Sequence, residues 1–293
     1  MSGKKEFGMQ NILALLGDGH LNEEVLKRAF MLAKQFDAKV IILQTIHVPF
    51  VDLPNYSSEL PLDKREVRDQ IQAKIASILG DQMVDYHLLV FFGEATDRAI
   101  IEAKRDGIDL IITTEDIKID RLARSVHKPI LIQKNPTKAY NNILIATDLK
   151  EGSIRAIEYI KSNFPSAKIS LVYAYESMVM MTSMYDISYL NIDPYQEQNR
   201  IIAQDLFESL QKREGVSGVW IEATPSVPLA LLDYIEEGKP DLVVVASSNK
   251  EGLLFGSVSA YIARESTVDV LVYGDNQTLL KRKNITIEKE QSE

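Results

Sequence analysis

The chain repeats itself over a long period. Asn11-Ile12-Leu13-Ala14-Leu15-Leu16 opens a series of apolar strand-like runs alternating with helical spacing, and Asn142-Ile143-Leu144-Ile145-Ala146-Thr147 opens it again. Ile12 and Ile143 are 143 − 12 = 131 positions apart. Asp109-Leu110-Ile111-Ile112 recurs as Asp241-Leu242-Val243-Val244, an offset of 241 − 109 = 132. Such a repeat sets the domain count before any local motif is weighed. Near the end of each copy the offset widens. Ile130-Leu131-Ile132 aligns with Val270-Leu271-Val272, and 270 − 130 = 140, so 140 − 132 = 8 residues of the second copy have no counterpart in the first. They fall just after the fourth strand, where an open α/β sheet keeps its ligand loop. The first copy reads as a domain whose binding loop has been cut away.

In the first copy, residues 11–16 and 39–47 are short, β-branched runs suited to buried strands. Between them, residues 23–33 place apolar side chains at helical spacing, with acids leading and bases following as the helix dipole favours. A helix over 63–79, a strand near 84–92, a helix over 94–105 and strands near 109–113 and 129–133 complete the unit. The second copy has strands at 142–147, 168–175, 217–223, 241–246 and 269–273, with helices at 153–163, 195–213, 227–238 and 256–265. Strands alternating with helices predict parallel strands and right-handed crossovers, hence doubly wound sheets. The spacing predicts two flavodoxin-like α/β domains over 1–136 and 137–275, each a five-stranded parallel sheet with helices on both faces, and a polar tail over 276–293. The join, Gln133-Lys134-Asn135-Pro136-Thr137-Lys138, is short and proline-marked.

Charge and composition exclude several classes of function. A formal net charge of −9 opposes sequence-independent nucleic-acid binding, which needs excess Lys and Arg to neutralise phosphates. The absence of cysteine removes disulfides, thiol nucleophiles and thiolate metal sites, and suits a reducing cytoplasm. The longest apolar runs, such as Leu242-Val243-Val244-Val245-Ala246, fall far short of the ~20 residues of a spanning helix, so no membrane partner is expected. The N-terminal apolar run is too short for a secretory leader, and its twin in the second copy is a strand. His20, His47, His87 and His127 are scattered without metal-ligand spacing and are expected at the surface or in loops. Trp220, the only tryptophan, is expected to pack in a core.

Ligands of parallel sheets bind at the carboxyl ends of the strands, so the residues after strands one and four of the second copy are the candidates. Strand one ends in Thr147-Asp148. Asp148 has two readings, a helix cap or a ligand contact. Strand four ends at Ala246, followed by Ser247, Ser248 and Asn249, and Gly256-Ser257-Val258 opens the next helix. Exposed amides at a helix start attract anions; an ordinary cap beside a polar loop has the same residues. The segment 177–194 carries Met178, Met180, Met181, Met184, Tyr185 and Tyr189. It reads either as a loop packing its own apolar residues or as an adaptable contact surface for a protein partner, with a pocket lid between the two.

The duplicated unit, the Thr147-Asp148 ending and the block Asp241-Leu242-Val243-Val244-Val245, Gly256-Ser257-Val258, Val270-Leu271-Val272 resemble the universal stress protein family in its tandem form, over residues 9 to 273. Gly93-Glu94-Ala95 and Ser226-Val227-Pro228 resemble the family's third-strand ending. Members that bind ATP carry a glycine-rich loop, Gly-x2-Gly-x9-Gly-Ser/Thr, after strand four. Here Ala246 and Asn249 stand at the two early glycines, and 256 − 249 − 1 = 6 residues separate Asn249 from Gly256 instead of nine. Side chains obstruct the backbone conformations and close phosphate approach that glycine permits. In the first copy Thr113-Thr114-Glu115-Asp116 has no glycine and two acids, and uncompensated carboxylates repel phosphate. That copy is expected not to bind ATP, leaving ATP or another anion to the second copy alone. The resemblance implies a cytoplasmic stress-response protein without a catalytic role, whose domains form an intramolecular pseudo-dimer through their fifth strands or adjoining edges and which is open to homodimerisation. Two functions stay open: a binding or interaction protein with degenerate nucleotide sites, or an ATP-binding switch, slowly hydrolysing, that uses only the second domain.

Overall fold

The computed structural model of the protein describes residues 7–17, 22–46, 64–105, 107–176, 194–246 and 256–274. The Met- and Tyr-rich stretch 177–193, the 276–293 tail, His20 and His47 lie outside the described residues. The chain parts into two compact units between Lys138 and Ala139.

Unit 1 runs β1 (Asn11–Leu16), α1 (Asn22–Phe36), β2 (Lys39–Ile46), α2 (Lys64–Leu79), β3 (Tyr86–Phe92), α3 (Ala95–Lys104), β4 (Leu110–Thr113), α4 (Ile119–Val126) and β5 (Ile130–Ile132). Its strands lie in the order β3-β2-β1-β4-β5, all parallel. Unit 2 runs β6 (Asn142–Ala146), α5 (Glu151–Asn163), β7 (Lys168–Glu176), α6 (Pro194–Glu214), β8 (Ser217–Ala223), α7 (Val227–Gly238), β9 (Leu242–Ala246), α8 (Ser257–Glu265) and β10 (Asp269–Tyr273). Its order is β8-β7-β6-β9-β10, again all parallel. Each unit is a flavodoxin-like domain. The chain leaves the first strand in one direction and the fourth in the other, so right-handed crossovers put helices on both faces.

Strand register reproduces the sequence offsets. Ile12 pairs with Leu110 as Ile143 pairs with Leu242, and Ile111 pairs with Ile130 as Val243 pairs with Val270. The central strands are buried on both sides: Ile12 to Leu15 are inaccessible, and so are Val243 and Val244. That explains their unbroken apolar runs, since a strand covered by helices on both faces has no polar side to alternate. α1 buries Val25, Leu26, Ala29, Phe30, Leu32 and Ala33, with Glu23 and Glu24 in its first turn and Lys34 in its last.

Spacing alone does not reveal α4. Its eight residues bury Leu122, Ala123 and Val126, and the helix ends at His127 in a left-handed conformation (φ 47°). The apolar positions do follow helical period, but over two turns, too short for the pattern to stand out. Trp220 is half-buried rather than in the deep core, packed among Tyr173 (4.8 Å between centroids), Tyr175 (5.3 Å) and Phe207 (6.4 Å). His87 is exposed and His127 half-buried.

A carboxylate strap ties the two central strands of each unit at their amino ends. Asp109 Oδ2 accepts from the amides of Gln10 (2.7 Å) and Asn11 (3.1 Å), and the Asp109 amide donates to the Asn11 carbonyl (3.0 Å). Asp241 Oδ2 accepts from Asn141 (3.0 Å) and Asn142 (2.9 Å), and its amide donates to the Asn142 carbonyl (2.8 Å). Hydrogen bonds to a charged acceptor contribute more than neutral ones. Asp241→Ala therefore lowers the stability of unit 2 by about 1–3 kcal/mol, read as a lower urea midpoint of Trp220 fluorescence. Asp241→Asn, which keeps an acceptor oxygen, loses less; an unchanged midpoint in Asp241→Ala contradicts the strap.

The two copies treat one helix start differently. Glu94 Oε2 caps α3 by accepting from the Asp97 amide (2.8 Å), with Lys118 Nζ at 3.7 Å and Arg121 Nη1 at 3.9 Å. Ser226, at the start of α7, makes no side-chain cap bond. Burial pushes the Glu94 carboxyl up, but the Asp97 amide, Thr96, Lys118 and Arg121 together outweigh it and hold it below the ordinary value of 4.5. A depressed carboxylate contributes stability that is present above its unfolded pKa and lost as pH falls through its folded one. Glu94→Ala should cost about 1 kcal/mol at neutral pH, and the gap to wild type should close as the pH drops below 4.5. A gap that persists unchanged at pH 2–3, roughly two units below the free value, contradicts the cap.

Candidate functional site

In unit 2 the crevice opens between β6 and β9, adjacent strands that send the chain to opposite faces. β6 runs into a turn held by its own side chains. The buried Thr147 hydroxyl accepts from the Leu149 amide (3.0 Å) and lies 2.9 Å from the Ser153 hydroxyl. Ser153 in turn donates to the Lys150 carbonyl (2.9 Å), so Thr147 is the donor to Ser153. Asp148 Oδ1 accepts from the Lys150 amide (3.1 Å), and its Oδ2 lies 3.1 Å from Lys150 Nζ. These bonds hold Leu149 at φ 61°, a left-handed conformation that a branched side chain seldom adopts unaided.

Across the crevice, the Ala246 carbonyl at the end of β9 accepts from the Ser259 hydroxyl (2.8 Å), which fixes the first turn of α8 against the strand. Gly256 stands at the N-cap without a side-chain cap bond. The first amides of α8 have no intrahelical acceptor, and the dipole makes that end favourable for negative charge. Tyr173 of β7 forms another wall, and Val227 and Leu231 of α7 form an apolar one. The half-open crevice has a volume of about 460 Å³. Burial pushes the Tyr173 phenol up, with Tyr175 and Asp148 adding to it, so it stays protonated at neutral pH.

Thr147, Asp148, Ala246, Gly256, Ser257 and Val258 all border this one cavity. Ser247, Ser248 and Asn249 lie outside the described residues. Strand-end reasoning missed Lys150, Tyr173, Val227, Leu231 and Ser259. Lys150 is close to Asp148 in the same turn, and its charge is the available signal. Tyr173 sits near the carboxyl end of the neighbouring strand, a position the same rule covers. Nothing in the sequence marks Val227 and Leu231 as wall rather than core.

Register places Leu16 and Gly17 of unit 1 where unit 2 has Thr147 and Asp148, and Thr114 where it has Ala246. Here the strand ends touch. A Cβ on Gly17 would come within 3.2 Å of Thr114 Oγ1 and 3.5 Å of Asp116 Cβ. Residues 114–118 join β4 to α4, whereas residues 247–256 join β9 to α8. The short link folds its own side chains into the gap, with the Thr114 hydroxyl donating to Asp116 Oδ2 (3.2 Å). Asn22 clasps Gly17 from the other side, through Oδ1 to its amide (2.9 Å) and Nδ2 to its carbonyl (2.7 Å). The expectation of uncompensated acids needs correcting, because Glu115 pairs with Lys134 Nζ at 3.3 Å. Among the described residues, Thr114 and Asp116 therefore sit close against Gly17 at this end of unit 1.

The profile of the universal stress protein family matches residues 9–115 and 139–274. Among curated proteins none matches the chain. Among solved structures, a universal stress protein from Archaeoglobus fulgidus is 15% identical with a TM-score of 0.66, over 92% of this chain and 98% of that one. A functionally unknown protein from Pseudomonas aeruginosa is 15% identical with a TM-score of 0.65, over 96% and 98%. At that identity these neighbours show the shared fold, while the profile, matched once in each unit, shows the family: the chain belongs to the universal stress protein family, in tandem form.

Proposed function

We propose that this is a cytoplasmic, non-catalytic stress-response binding protein in which unit 1 has given up its nucleotide site and unit 2 keeps a reduced one. The observation that carries the reading is the contrast between the two strand-one/strand-four junctions. One is a half-open crevice of about 460 Å³ at a helix start whose N-cap is Gly256, and the other has Gly17 against Thr114 and Asp116. Ligand sites commonly span roughly 300–1,000 Å³, so the unit 2 crevice has room for a nucleotide-sized molecule. Among the described residues, the polar groups around it do not form a nucleophile–base pair: Thr147 is bonded to Ser153, and both Asp148 oxygens face Lys150. A partner protein is assigned to the Met- and Tyr-rich 177–194 segment. The net charge of −9 argues against a nucleic-acid partner.

The volume of the crevice and its Gly256-Ser257 helix start favour a second reading, an ATP-binding switch acting through unit 2 alone. The two differ in affinity and turnover. Micromolar binding requires about 8 kcal/mol, and helix-end electrostatics contribute only about 0.3–1 kcal/mol per charge at exposed sites, so most of the rest must come from loop donors. Calorimetry on the full chain with Mg-ATP should therefore give no more than one site per chain, with Kd of about 100 μM or weaker, and no phosphate release. Gly256→Glu, which puts a side chain and a negative charge at the helix start, should abolish the binding. Micromolar affinity with slow phosphate release favours the switch. Two sites per chain contradict both readings.

A further inference from the structure

At the amino ends of β6, β7 and β8, beneath the end of α7, unit 2 has a half-open groove of about 290 Å³. It lies at the opposite end of the sheet from the crevice. The stretches that frame it, 139–142, 164–170, 214–217 and 234–242, are described without a break. Lys168 and Lys239 border it, with the hydroxyls of Ser170 and Ser217 and the phenol of Tyr234. Among the described residues, none of these side chains has a hydrogen-bond or ion-pair partner, and no carboxylate lines the groove. Asp241, just beyond the lining Pro240, accepts from the Asn141 and Asn142 amides through Oδ2. Glu236 and Glu237 of α7 are exposed outside the lining.

Unit 1 builds the same corner differently. Lys39 stands opposite Asn11 as Lys168 stands opposite Asn142, but it pairs with Asp85 at 3.6 Å. Tyr234 takes the position of Glu102, 234 − 132 = 102, where Glu102 Oε2 holds Arg105 Nη1 at 2.7 Å. Lys239 takes the position of Gly107, 239 − 132 = 107. Both backbones are left-handed, with φ 102° at Gly107 and 42° at Lys239. Glycine adopts that conformation freely and lysine only at a cost. A cation after the last turn of α7 gains from the helix dipole, which gives Lys239 a structural reason but leaves Lys168 without one.

We infer that this groove is a ligand site separate from the crevice, and that it takes a small phosphate-type dianion between Lys168 and Lys239, either free phosphate or the phosphoryl group of a small metabolite. Two ammoniums match a dianion, whereas a monocarboxylate uses only one. Lysine binds phosphate as a point charge on a flexible stem, and the serine hydroxyls and the phenol supply donors for the remaining oxygens. The volume falls just under the roughly 300–1,000 Å³ of common ligand sites, which suits a group of this size better than a nucleotide. The net charge of −9 is no obstacle, because exposed charges more than about 10 Å away are largely screened at about 0.1 M salt.

The test is an amide NMR titration of the full chain with sodium phosphate and with glycerol 3-phosphate, at an ionic strength held constant with sodium chloride. Saturating shifts are expected at residues 168–170, 217 and 238–239, and chloride alone should not produce them. Lys168→Gln and Lys239→Gly should each weaken binding about five- to tenfold, the scale of one exposed hydrogen bond, whereas Lys168→Arg should retain it. Lys239→Gly should also keep or raise the urea midpoint, since glycine suits φ 42°, so its loss of binding is not a loss of fold. Gly256→Glu should leave this binding intact, which separates the groove from the crevice. Saturation by glycerol 3-phosphate assigns the site to a phosphorylated metabolite, and saturation by phosphate alone assigns it to the free ion. Shifts no larger than those with chloride overturn the inference. So does binding unchanged in both lysine variants, or binding lost in Gly256→Glu.

Discussion

The strap at the amino ends of the central strands is the constraint on which each unit's functional end depends. Asp109 and Asp241 each reach two backbone amides of the strand beside them, and in both units the strap's own amide returns a bond. Pinning first strand to fourth at one end sets their register along the whole length. The carboxyl ends, where these strands part company, are thereby held at a fixed stagger, and only the connections beyond them are free to differ. The scaffold is constant and the strand ends carry the variation, as is general for sheets of this topology.

That separation explains how one fold supports two outcomes in a single chain. In unit 2, the Thr147–Lys150 turn satisfies itself through local hydrogen bonds, and Ser259 anchors α8 to Ala246, so the described walls of the crevice are fixed by their own bonds. In unit 1, the shorter link from β4 to α4 brings Thr114 and Asp116 against Gly17, and Asn22 closes over the other side. Glu94 and Arg121 then tie α3 and α4 together, whereas in unit 2 Val227, the first residue of α7, lines the crevice. Among the described residues, the unit 1 junction is held by internal contacts.

Much of this was legible in the residues because the repeat supplies two readings of every element. The offsets of Ile12 to Ile143 and Leu110 to Leu242 are those of the paired strands, and most of the missing stretch falls on the β4–α4 link. α4 was not legible, since eight residues carry too little periodicity and its start lacks a side-chain cap. Thr147, Asp148, Gly256 and Ser257 were accessible from the strand-end rule. Val227 and Leu231 were not, because an apolar pocket wall and a core face have the same sequence pattern. The ion pair of Glu115 was also hidden: Lys134 lies beyond the next strand, and only the fold brings the two together.

The central claim is that ligand capacity belongs to one unit of the pair. Amide hydrogen exchange on the full chain, with and without millimolar Mg-ATP, tests it most directly, because it locates protection residue by residue under native conditions. The account predicts slowed exchange around 146–150 and at the start of α8, 256–260, with no change at the counterpart strand ends 16–17 and 113–118. Equal protection at both sets of strand ends, or protection confined to unit 1, would contradict it.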